Sequence, residues 1–154
     1  MATGKCCSCC ERRALTWALP TRFGWTPAHA AAGNGHWEVL QLLREAGADL
    51  GASSKHGVTP AHFAAQNGHR EILQLLRESG ADLGASDEDG STPAHFAARN
   101  CHGEVLQLLR EVGAELVASY KDGRTRDRRT PAHFAVLNGH KEVPHPFREA
   151  ASTN

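Results

Sequence analysis

The tetrapeptide Thr-Pro-Ala-His occurs four times in this chain, beginning at Thr26, Thr59, Thr92 and Thr130. The first two intervals are 33 residues and the third is 38. Each of the first three copies is followed by a near-identical run: "EVLQLLREAGADLGAS", "EILQLLRESGADLGAS" and "EVLQLLREVGAELVAS". Self-similarity at such a period means one supersecondary unit, stacked on copies of itself. A unit this small cannot bury its own flanks, so its neighbours must do so.

The second copy shows the local logic. Thr59 can cap a helix N-terminus with its hydroxyl, and Pro60 suits the first helical position, where no N–H is needed. A short helix over 60–67 is predicted. Gly68 can take positive φ and stop it. A second helix starts near His69. Ile72, Leu73, Leu75 and Leu76 form its wide apolar stripe, and Arg70, Glu71, Gln74, Arg77 and Glu78 form its polar face. Gly80 ends it, and an extended turn segment leads to the next Thr-Pro.

"GVTPAHFAAQNGHREILQLLRESGADL" closely resembles the ankyrin repeat, and the resemblance covers about residues 22–143. It implies an all-α solenoid of stacked helix pairs with projecting hairpin loops, used mainly to bind proteins. The spans expected are a disordered Cys-rich leader over 1–21, repeats near 22–54, 55–87, 88–120 and a degenerate 121–143, and a frayed tail over 144–154. In the family, the histidine of the tetrapeptide looks inward and links neighbouring repeats; here those positions are His29, His62, His95 and His133. A second histidine recurs as His36, His69, His102 and His140. Eight of the ten histidines are thereby scaffold. No metal and no cofactor is expected.

Several positions depart from the family pattern. Its usual leucine in Thr-Pro-Leu-His is replaced by Ala28, Ala61, Ala94 and Ala132. Phe63, Phe96 and Phe134 are expected to refill the lost volume, with Ala30 leaving the first repeat thinner. Cys101 replaces the glycine seen at Gly35, Gly68 and Gly139, and would be strained if positive φ is required there. The fourth copy carries five extra residues in its hairpin, and Pro144 and Pro146 interrupt its second helix. Gly51, Gly84 and Val117 stand where many ankyrin repeats carry a hydroxylatable asparagine, so that modification is not expected.

Composition narrows function further. Lys plus Arg equals Asp plus Glu at 17 each, which gives no overall pull toward nucleic acid or acidic lipid. No apolar run is long enough to span a bilayer, and the N-terminus lacks the h-region of a secretory signal. A cytoplasmic or nuclear setting is expected. Ala2 removes the glycine that N-myristoylation needs. "CCSCC" supplies Cys6, Cys7, Cys9 and Cys10. An unstructured leader, S-acylation beside Lys5, Arg12 and Arg13, and metal binding are the readings open there. Trp17 and Leu19 could cover the open edge of the first repeat, although residues 12–23 are too weakly periodic to read as a further repeat. No nucleophile elbow, phosphate loop or zinc-protease motif occurs. The basic cluster "RTRDRR" over 124–129 is interrupted by Asp127, which weakens a nucleic-acid role.

The expected function is therefore that of a non-catalytic adaptor, a monomer that binds a protein partner across hairpin tips and the concave helix face. No small-molecule substrate is expected, nucleic acid is disfavoured, and membrane contact would come only through Cys6–Cys10. Carried over from the resemblance, the contact surface is Arg22, Phe23, Trp25, Gly33 and Asn34 in repeat one, then Lys55, His56, Val58, Gln66 and Asn67 in repeat two. It continues through Glu88, Asp89, Ser91, Arg99 and Asn100 to Lys121, Asp122, Arg124, Leu137 and Asn138. The third tip is acidic and the fourth, over 121–129, is mainly basic. The alternatives are a membrane-tethered regulator anchored by acylated cysteines and, more distantly, a nucleic-acid-associated factor using 121–129.

Overall fold

A computed structural model describes residues 21–113, together with 120–121, 128–129 and 131. The leader over 1–20, most of the fourth repeat and the C-terminal tail lie outside the described residues. Within them, three helix pairs follow one another: α1 (Pro27–Asn34) and α2 (Trp37–Glu45), α3 (Pro60–Asn67) and α4 (Arg70–Glu78), α5 (Pro93–Arg99) and α6 (Gly103–Glu111). Beyond them, β1 (Tyr120–Lys121) and β2 (Arg128–Arg129) pair antiparallel, Tyr120 opposite Arg129.

Each first helix starts and stops where the sequence dictates. Thr26, Thr59 and Thr92 are extended N-cap residues and a proline occupies the first turn. Gly35 and Gly68 close α1 and α3 in the left-handed region, at φ 77° and 78°. They are also places of close approach. A Cβ on Gly68 would lie 2.5 Å from the His102 ring, and one on Gly35 would lie 2.8 Å from the His69 ring. Cys101 takes the same conformation at φ 68°, the one non-glycine with positive φ among the described residues. That costs about 1 kcal/mol relative to glycine.

First helices pack on first helices (α1 on α3, α3 on α5) and second helices on second helices. The core is thin and runs along the stack. Alanines of the first helices meet leucines of the second, with Leu50 and Leu83 sealing the segments that follow. Ala28, Ala61 and Ala94 belong to that core and are almost fully buried. The expectation that phenylalanines refill the missing leucine volume is corrected. Phe63 and Phe96 are half-buried and stand outside the core. Phe63 turns sideways, edge-on to Trp25 at 5.1 Å and to His29, while Phe96 lies edge-on to His62 at 5.4 Å. Their chemistry is inter-repeat aromatic contact.

Candidate functional site: the hairpin tips and the inner helix face

The histidines of the tetrapeptides are the links that set one repeat against the next. The Thr59 N–H donates to His62 Nδ1 at 3.0 Å, and the Thr59 hydroxyl lies 2.9 Å from the same nitrogen. An accepting Nδ1 leaves the proton on Nε2, which donates to the Ser91 carbonyl at 3.0 Å in the next repeat. His29 repeats the arrangement, with Thr26 on one side and the Val58 carbonyl, 2.9 Å away, on the other. His95 is held by Thr92 in the same way. A charged imidazole would point a second donor at the threonine N–H. Burial pushes the His62 pKa down to about 4, the Ser91 hydrogen bond opposing it and His29 and His95 adding to it. His29 is lowered too, again mainly by burial.

The second set of histidines reaches backwards. His69 Nε2 is 3.3 Å from the Gly33 carbonyl, and His102 Nε2 is 3.0 Å from the Gln66 carbonyl. Asn67 Nδ2 adds a bond to the Gly33 carbonyl. His29, His62, His69, His95 and His102 are therefore mortar, whereas His36 at the front of the stack is exposed, and among the described residues no cluster of three or more His, Cys, Asp or Glu could hold a metal ion. His133 and His140 lie outside the described residues.

The hairpin tips are tied into one ridge. The Lys55 N–H donates to the Phe23 carbonyl and the Glu88 N–H donates to the His56 carbonyl, both at 3.0 Å. Each tip has the same internal turn. Thr21, Ser54 and Asp87 each use a side-chain oxygen to accept from the backbone N–H four residues on. Asp87 is partly buried, and that burial is the main reason its carboxyl is pushed above the ordinary range. His56 and Glu88 form a bond of 2.7 Å across the tips.

The residues carried over as contacts divide into two kinds. Arg22, Phe23, Trp25, Asn34, Lys55, His56, Gln66, Asn67, Glu88, Asp89, Arg99 and Asn100 are exposed along the tips and inner face. Ser91 is corrected: it is buried, and its carbonyl accepts from His62, so its side chain is closed to a partner. Val58, at the same place one repeat earlier, is half-buried and serves His29. The amides of Asn34 and Asn100 fold back on carbonyls of their own helices. Lys121 lies in β1, whereas Asp122, Arg124, Leu137, Asn138 and the cysteines Cys6, Cys7, Cys9 and Cys10 lie outside the described residues. Among the described residues no helix is long and apolar enough to cross a membrane.

Sequence reasoning missed an apolar surface. Trp37, Val39 and Leu42 on α2 are 45%, 44% and 64% exposed, respectively. The signal that could have found it was the position of α2 at the front of the stack, not its letters.

Inward histidines, glycine-closed first helices and a ridge of hydrogen-bonded tips together define a solenoid built to present a surface. Family comparison agrees. A family model for ankyrin repeats in three copies matches residues 5–87, and one for many copies matches residues 71–110. The chain belongs to the ankyrin-repeat family, whose repeats are in general protein–protein interaction modules. No curated protein matches the chain.

Proposed function

We propose that this protein is a non-catalytic adaptor that holds a protein partner along the tip ridge and the adjoining inner face. The observation that carries the reading is the composition of the ridge. It opens on two exposed aromatic side chains, Phe23 at 57% and Trp25 at 42%. It continues through Lys55 and His56, and reaches Glu88 and Asp89 at the third tip. Large aromatics at an exposed, pre-formed site are the residues that most often anchor an interface. Charges beside them act mainly on encounter rate and choice of partner. The complementary partner carries an apolar residue for the aromatic end and basic residues for the acidic tip.

The test is affinity capture with the intact chain against a variant carrying Trp25→Ala, Glu88→Lys and Asp89→Lys. All three side chains are exposed. Trp25 also packs edge-on against Phe63 and Glu88 bonds His56, so a modest loss of stability is expected, and the variant is first checked for cooperative thermal unfolding above the assay temperature. Proteins held by the parent should be lost from the variant. Recovery of the same set at the same yield would refute the assignment.

A further inference from the structure

The grooves between successive second helices share one pattern and differ at one position. Between α2 and α4 lies an outer groove of about 350 Å³. Trp37 and Glu71 stand at one end and the buried Leu75 lines it. Arg44 and Glu78 close the other end, Nη1 to Oε2 at 3.7 Å. Carried 33 residues on, the same positions fall between α4 and α6 as Arg70, Arg77, Glu104, Leu108 and Glu111. Arg77 and Glu111 correspond to Arg44 and Glu78, and Arg70 and Glu104 correspond to Trp37 and Glu71. By register, two arginines meet two carboxylates in the second groove, whereas one arginine meets two carboxylates in the first.

Glu71 is the carboxylate left over. Among the described residues no cation lies within ion-pair distance of it. Its counterpart across the groove is an indole, 45% exposed, where the next repeat carries a guanidinium. Arg44 is committed to Glu78, and the rise of the helix sets it roughly 10 Å along from Trp37. Over that distance salt screens most of its repulsion toward a second cation. An indole face attracts a cation more strongly than the other aromatic side chains do. A guanidinium combines a planar face that stacks on such a ring with a fork of donors that fits a carboxylate.

We propose that the Trp37 end of this groove is a docking site for an arginine side chain of a partner protein, its guanidinium lying on the Trp37 ring and donating to the Glu71 carboxylate. The incoming arginine takes the place that Arg70 holds by register in the next groove. The site shares no residue with the tip ridge, so the chain can engage a partner on either surface independently. Val39 and Leu42 stay outside it and remain exposed.

Heteronuclear NMR of the isotope-labelled full chain tests this, with Nα-acetyl-arginine methylamide as the probe. The signals followed are the Trp37 indole N–H and the backbone amides of α4. Both should shift and saturate with the probe in the millimolar range, as one exposed cation–π contact and one surface ion pair allow. The citrulline and norleucine analogues, which lack the charge, should give no saturable shift. Glu71→Gln should weaken binding roughly threefold or more. Trp37→Arg, which supplies the repeat's own guanidinium at that position, should abolish it, as read at the amides of α4. Trp37 and Glu71 are both exposed, and thermal unfolding of each variant checks that the fold is kept. An arginine response that does not saturate, an equal response to citrulline or norleucine, or binding that survives either substitution unchanged would each overturn the proposal.

Discussion

The second helices of the first two repeats carry almost the same letters and live in different surroundings. "WEVLQLLRE" and "REILQLLRE" occupy α2 and α4. Both fold as nine-residue helices with an acidic residue in the first turn and an arginine in the last. Yet Leu75 is packed and Leu42 faces outward. Local sequence decides that a helix forms and where it stops, while the neighbour in the stack decides how much of its stripe is buried. Stability in such an array is a sum of repeat terms and interface terms, and α4 has an interface on a side where α2, within the described residues, has none.

The sharpest way to break that comparison is to truncate both leucines. Leu75→Ala should cost about 2–5 kcal/mol, the range for a leucine in a packed site. Leu42→Ala should cost about 1 kcal/mol or less, as expected at an exposed position. Equilibrium denaturation of the two variants checks the pair. Equal losses would mean that Leu42 is as fully covered as Leu75, and the contrast between the helices would vanish.

A second effect of similar or smaller size tests the links between repeats. His62 is neutral in the folded chain down to about pH 4, against an ordinary value of 6.5. Below pH 6.5 the unfolded chain binds a proton at this position that the folded chain refuses. Stability is therefore complete above pH 6.5 and is lost as pH falls toward 4, by on the order of 3 kcal/mol from this group alone. His29, also lowered, acts in the same direction. Asp87, whose carboxyl is raised, acts in the opposite one, so the histidine term is isolated by comparison with His62→Gln. That variant should start weaker at neutral pH and show a shallower acid slope. A slope identical to the parent's would remove the inward histidine from the account.

Much of this was legible in the letters. Thr-Pro and the following glycine placed α3 at its observed bounds, because capping and positive φ are local demands. The strained position of Cys101 was readable for the same reason. The inward histidines came from the family resemblance, and the geometry then supplied their tautomer. What was not legible depended on neighbours. Ser91 and Val58 were carried over as contact residues, but their carbonyls are occupied by histidines 29 residues earlier in the chain. Phe63 was expected in the core, but the ring is half-buried and meets Trp25 edge-on. The exposure of Leu42 has no sequence signature at all, since its own segment matches the buried one.

Native-state hydrogen exchange, resolved by helix, tests the central claim most directly. If stacked neighbours carry the stability, the amides of α3 and α4 exchange slowest and those of α2 measurably faster, despite near-identical sequences in α2 and α4. Equal protection in α2 and α4, or slower exchange in α2, would show that each helix pair stands on its own and would contradict the account.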